Sequence, residues 1–171
     1  MNAKENDRVQ NFKVSESLGH VTNRVAIMMR KNLAVQFKEQ GVKLTSEEFA
    51  ILHTLWETDG LFQTEITEKT LKDKTRVTRL LIKLIDKALV EKRIDENDRR
   101  NFRIYLTDEG SNLKYKVLPI VRSLMEQASC QVSSIDLETT IITLKKMFAN
   151  LNNKLLDTAE EPENGGIGGV E

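Results

Sequence analysis

The stretch 73–106 constrains the fold most, because the spacing of its apolar residues switches from helical to strand-like partway along. On a helix of 3.6 residues per turn, Val77, Leu81, Leu84 and Ala88 share one side, while Arg76, Arg79, Lys83 and Lys87 share another. One face is therefore suited to a core and the other to solvent or an anion. Asp73 stands where an N-cap carboxylate can accept from unpaired backbone N–H groups, so the spacing predicts a helix from Lys74. After Leu89 the pattern predicts a two-stranded hairpin. Its strands are 90–95 and 102–106, with Phe102, Ile104 and Leu106 alternating against Arg103 and Tyr105, around a polar tip at 96–101 that carries Arg99 and Arg100.

The formal net charge of zero would argue against a nucleic-acid partner if charge were spread evenly. It is not. Residues 63–106 hold 12 Lys+Arg against 8 Asp+Glu, and the rest of the chain holds 14 against 18. The positive excess sits on the helix and hairpin, which predicts a grip on DNA. A chain of 171 residues suits one domain with a helical extension. The single cysteine, Cys130, rules out an intrachain disulfide and a Cys-based metal cluster. The polar N-terminus and the lack of any long apolar run lead to the expectation of a cytoplasmic protein away from membranes.

Residues 1–13 read as a flexible arm. From 14 to 40 the pattern predicts one long helix with two apolar rows, Val14, Leu18, Val21, Val25 and Met28 on one, Met29, Leu33 and Phe37 on the other. Steps of 4, 3, 4 and 3 in the first row fit a coiled-coil seam with Asn32 next in line, and packing within one subunit fits equally well. Gly41 closes this helix, and Thr45-Ser46-Glu47-Glu48 opens the next as a capping box. That helix presents Phe49, Leu52, Leu55 and Trp56, and ends at Asp59-Gly60. A short helix at 64–70 follows, with Ile66 as its anchor; a short helix, a turn and a basic helix make a helix-turn-helix. Beyond the hairpin, Thr107 caps a helix carrying Leu113, Val117, Ile120, Val121, Leu124 and Ala128, with a kink expected at Pro119. Ser133 or Ser134 caps a last helix whose seam is Leu137, Ile141, Leu144, Phe148, Leu151 and Leu155. Residues 158–171, acidic and Gly-rich, are expected to be disordered.

With these pieces in place, the stretch 44–110 resembles the MarR family of winged-helix transcriptional regulators. The resemblance is carried by Leu44-Thr45, Leu55-Trp56, Asp59-Gly60, Gln63-Thr64-Glu65-Ile66, Thr78-Arg79-Leu80 and Leu89-Val90. Asp98-Arg99-Arg100 followed by Leu106-Thr107-Asp108-Glu109-Gly110 at this spacing is its most specific part. It implies a mainly α fold with a small β-hairpin wing: a winged helix-turn-helix at 41–106, flanked by dimerisation helices at 14–40 and 107–157. It also implies a homodimeric repressor of a pseudo-palindromic operator, with half-site centres about 34 Å apart on double-stranded DNA. Three positions depart from the pattern: Thr67, Leu71, and Ala88, where the family favours Gly. A left-handed Ala would cost roughly 1 kcal/mol, so the helix is expected to run one residue further instead.

Lys and Arg that neutralise phosphates release counterions, a role that suits Arg79, Lys83 and Arg99. The first turn of a recognition helix meets base edges, which points to Lys74, Thr75, Arg76 and Thr78. The resemblance makes Arg100 the minor-groove arginine of the wing and Asp98 its orienting partner. It further implies a small amphipathic or anionic effector, for which His20, Met28, His53 and Trp56 are candidate pocket residues, although helical spacing suits Met28 and Trp56 better to a core. No Gly-rich phosphate loop, nucleophile elbow or metal-ligand spacing is present, so no enzyme, cofactor or metal is expected. Cys130 has no cationic neighbours in sequence to activate it as a redox sensor. The competing reading is a winged helix used as a protein-interaction or oligomerisation module, since fold alone does not dictate DNA binding.

Overall fold

The computed structural model describes residues 13–159, with side chains described through Asn153. Residues 1–12 of the arm expected over 1–13, and residues 160–171 of the tail expected over 158–171, lie outside the described residues, while Thr158 and Ala159 belong to the last helix and not to the tail. The chain divides into two compact units, residues 1–128 and 129–171.

The first unit opens with a 3-10 turn, Val14–Glu16, followed by α1 (Leu18–Glu39), α2 (Ser46–Glu57), β1 (Leu61–Phe62), α3 (Gln63–Thr70), α4 (Lys74–Asp86), β2 (Val90–Ile94), β3 (Phe102–Leu106) and α5 (Asp108–Ala128). The long helix expected over 14–40 is shortened at its start. Ser17 interrupts it: its Oγ accepts from the His20 N–H at 3.4 Å, so Ser17 caps α1 and the preceding turn stays outside it. Only the second apolar row of α1 enters the core. Leu33 and Phe37 are buried, whereas Leu18, Val21, Val25 and Met28 stay exposed.

The core lies where α2, α3 and α4 meet the sheet. Ile51, Leu52, Leu55, Ile66, Val77, Leu84, Val90 and Ile104 are all buried there, with Val117 and Leu124 of α5 closing it. Full burial of one such side chain contributes roughly 1.5–3 kcal/mol. The capping box of α2 forms as expected: the Thr45 N–H donates to Glu48 at 2.8 Å and the Glu48 N–H donates to Thr45 Oγ1 at 3.2 Å. Thr107 caps α5 by accepting from the Gly110 N–H at 3.0 Å, and α5 continues as one helix through Pro119.

The hairpin proves to be part of a three-stranded antiparallel sheet of order β1-β3-β2, in which Leu61 pairs with Ile104 and Val90 with Leu106. A two-residue strand is too short for alternation to announce it. The expectation that α4 would continue past Ala88 is also overturned. Ala88 adopts φ +54°, and the Ala88 N–H donates to Ile85 O at 2.8 Å while the Leu89 N–H donates to Leu84 O at 3.0 Å, a Schellman ending. Thr107 Oγ1 then donates to Ala88 O at 2.7 Å and the Thr107 N–H to Leu89 O at 3.2 Å. These bonds, with the burial of Leu89, outweigh the left-handed penalty. Ala88 is thus exposed, and Leu80 takes its place on the buried face.

In the second unit, Ser133 caps α6 (Ser134–Ala159), its Oγ accepting from the Asp136 N–H at 3.1 Å. Leu137, Ile141, Phe148 and Leu151 of its seam are exposed.

Candidate nucleic-acid interface

Asp73 starts α4 as its sequence position requires, Oδ1 accepting from the Arg76 N–H at 2.8 Å. Burial of Val77, Leu80, Leu81 and Leu84 fixes how the helix is rolled, and that roll leaves Lys74, Thr75, Arg76, Thr78, Arg79 and Lys83 on the exposed side. The six residues therefore form one continuous surface. Arg99 and Arg100 are exposed at the tip between β2 and β3. Lys74 and Arg100, distant in sequence, line a common cavity of about 450 Å³ between the starts of α3 and α4 and the sheet.

Two of the basic residues are not free in the way their spacing suggested. Arg76 pairs with Glu47 of α2 at 2.5 Å, and Lys72 stands 3.9 Å from the same carboxylate. Lys87 leaves the cationic face altogether. At the end of α4 its Nζ turns inward to both oxygens of Glu48 at 2.8 Å and to Lys43 O at 2.9 Å. Burial alone would push the Glu48 carboxyl up, but the Lys87 ammonium and the Thr45 N–H outweigh it and hold the carboxyl below its ordinary value. The pair locks the end of α4 to the start of α2.

The wing is organised by residues that sequence reasoning missed. Asp95, just past β2, is buried and accepts from the Asn97 and Asp98 N–H groups at 2.9 Å each and from Arg103 Nε. The Arg103 hydrogen bond, foremost, holds the Asp95 carboxyl below its usual range despite burial, and the same contact raises Arg103. Arg103 also donates to Gly60 O at 2.9 Å and stacks on Phe62 at 3.9 Å, joining the wing to β1. The signal available was an acid before the tip facing an arginine on the returning strand. Asp98 orients the tip through the main chain, accepting from the Arg100 N–H at 3.0 Å and from Asn101 Nδ2 at 2.9 Å. Lys92 was missed as well; it lines the cavity with Lys74 and Arg100 and sits 4.1 Å over the Phe102 ring.

The four effector-pocket candidates are not gathered into one site. Trp56 Nε1 donates to Gly110 O at 3.0 Å and packs on the core with Phe49. His53 is exposed beside Glu57, at 3.7 Å, and tilts against Phe49. His20 lies near the start of α1, in contact with the Ser17 cap. Met28 alone lines a cleft of about 390 Å³ between α1 and α5, together with Arg24, Val25, Met29, Asn32 and Leu124. Met28 is 55% exposed, so this cleft and not the core is its place.

A helix-turn-helix whose reading helix abuts a three-stranded wing, with cations on the exposed face of both, defines a winged-helix DNA-binding protein. The family model described as transcriptional regulator SarA/Rot matches residues 34–117, the span from the last turns of α1 into α5. Among characterised relatives, the transcriptional repressor NicR of Pseudomonas putida is 24% identical over 144 residues, covering 83% of this chain and 89% of NicR. The crystal structure of a MarR transcriptional regulator from Methanosarcina mazei superposes with a TM-score of 0.73 at 23% identity, over 80% of this chain and 96% of that one. The structure of the Staphylococcus aureus MepR–DNA complex gives a TM-score of 0.70 at 22% identity, over 81% and 99%. The chain is thus similar to the SarA/Rot transcriptional regulators over residues 34–117 and has the fold of solved MarR-family winged-helix regulators. No helix among the described residues is long and apolar enough to cross a membrane.

Proposed function

We propose that the protein is a cytoplasmic homodimeric repressor that places α4 of each subunit in successive major grooves of a pseudo-palindromic operator and is released by a small-molecule effector. The observation that carries this reading is the division of α4. Val77, Leu80, Leu81 and Leu84 are buried, while Lys74, Thr75, Thr78, Arg79 and Lys83 are exposed beside a wing that brings Arg100 to the same cavity as Lys74. Lys74, Thr75, Arg76 and Thr78 meet base edges, Arg79, Lys83 and Arg99 meet phosphates, and Arg100 enters the minor groove with its main chain held by Asp98. The repressor name of NicR and the DNA complex formed by MepR are in keeping with it.

Dimerisation is supported by the exposed apolar row of α1 and by the exposed seam of α6, both of which a second copy would cover. For the effector, the cleft of α1 and α5 joins apolar walls, Val25, Met28, Met29 and Leu124, to the cation of Arg24, a lining suited to an amphipathic anion. Binding of the purified protein to the promoter region beside its own gene, with unrelated DNA as control and salt as the variable, tests the reading. Tight, selective binding that weakens steeply with salt supports it; no binding to a broad panel of duplexes at low salt overturns it in favour of an interaction module.

A further inference from the structure

Gln63 opens α3, and its Nε2 donates to Thr78 Oγ1 on the exposed side of α4 at 2.7 Å. Thr78 Oγ1 in turn donates its hydrogen to Lys74 O at 2.8 Å. With that hydrogen committed, the Thr78 oxygen can only accept from Gln63, which fixes the orientation of the carboxamide: nitrogen toward Thr78, oxygen away. One Nε2 hydrogen is used, and the second has no intramolecular acceptor among the described residues. Gln63 also lines the 450 Å³ groove into which Lys74, Lys92 and Arg100 face. A preorganised neutral N–H in a groove rimmed by three cations matches a backbone phosphate. The first helix of a helix-turn-helix crosses the sugar-phosphate backbone while the second enters the groove, so a residue at this place meets phosphate and not base.

We infer that Gln63 is a DNA-positioning residue, which locks Thr78 of the reading helix and donates its free N–H to a backbone phosphate that Lys92 neutralises, at the mouth of the groove between the base-reading Lys74 and the wing's Arg100. The inference rests on the operator reading above. It reassigns the Thr78 hydroxyl from base readout to holding Gln63, and leaves only the Thr78 methyl to face the bases. It also adds Lys92 to the cations that set salt dependence.

The test uses the full-length protein and a duplex enriched by it from a random-sequence pool, with an unenriched duplex as control. Gln63→Ala should weaken binding to both duplexes by roughly ten- to a hundredfold, the worth of one hydrogen bond to a charged group. The enriched base preferences should not change, nor should the log–log salt slope, because no charge is removed. Lys92→Gln should make that slope shallower by about 0.9, the share of one phosphate that is no longer neutralised. Thr78→Val, which keeps the methyl, should lose part of the same affinity, and the double variant should bind no more weakly than Gln63→Ala alone. Thermal midpoints of all variants within about 2 °C of wild type would separate these effects from unfolding. Loss of a base preference in Gln63→Ala, or undiminished affinity, overturns the inference while leaving the operator reading intact. Failure of the wild type to enrich any sequence overturns both.

Discussion

Replacing Lys87 by Met removes the counter-ion of a carboxylate that is almost fully enclosed: Glu48 is 1% exposed, and Lys87 touches both of its oxygens at 2.8 Å. Breaking a buried pair from one side typically costs about 3–5 kcal/mol, since the remaining charge keeps its desolvation penalty. The Lys87 side chain is 35% exposed, so water can approach the vacated position, and the Thr45 N–H still serves Glu48; the lower end, about 3 kcal/mol at pH 7, is the expected loss. The sign of the pH dependence should also reverse. In the wild type the Glu48 carboxyl is held below its ordinary value, so its contribution is present above the unfolded-state pKa of about 4.3 and is lost as pH falls through the lower folded value. Without Lys87, burial dominates and raises the folded value above the unfolded one. Stability then declines as pH rises between the two. Urea unfolding at fixed protein concentration across pH 4–8 reads both effects. Adding Glu48→Gln to the Met variant removes the orphaned charge, keeps an acceptor for the Thr45 N–H, and should recover about 1–2 kcal/mol. A loss under about 0.5 kcal/mol with unchanged pH dependence, or a double variant less stable than Lys87→Met, would refute the reasoning.

Ala88→Gly relieves a left-handed residue, and the lower penalty outweighs the greater freedom of unfolded glycine; a gain of roughly 0.5–1 kcal/mol, a melting midpoint higher by about 2–4 °C, is expected, and a fall would contradict the Schellman reading. Gly110→Ala would place a Cβ 1.9 Å from Leu89 O, which is backbone and cannot move aside. The shift of α5 that follows should break the Trp56–Gly110 hydrogen bond, cost about 3 kcal/mol and move the emission of the only tryptophan; unchanged fluorescence and stability would count against it. Glu47→Gln releases Arg76 from its ion pair and should tighten DNA binding up to about fivefold, with a salt slope steeper by up to about 0.9; weaker binding would mean that the pair positions Arg76 for the complex instead.

Local chemistry was readable along most of the chain. Asp73, Thr45 and Thr107 cap helices because each is a short acceptor placed just before an apolar-periodic run, and the apolar face of α4 follows from spacing alone. What sequence could not reveal was long-range. Lys87 lies on the cationic side of an ideal helical wheel, but the helix ends just before it and Glu48 captures it from another element. Ala88 obeys two tertiary hydrogen bonds from Thr107 and not its own preference. Strand β1 has two residues and no period. At the candidate site, exposure of the α4 residues was legible, whereas the Asp95–Arg103 link that shapes the wing depends on strand register. The first apolar row of α1 looked equally suited to a core and to a partner; it stays exposed within the chain because the helix is rolled so that Leu33 and Phe37 of the second row enter the core.

The most direct test of the central claim compares wild type with Arg79→Gln and Arg100→Gln on one enriched duplex, following affinity from about 50 to about 300 mM salt. Salt-sensitive binding by the wild type, with each substitution weakening it and Arg79→Gln flattening the log–log slope by about 0.9, is the predicted result. Equal affinity and equal slope for all three proteins would show that neither α4 nor the wing meets DNA.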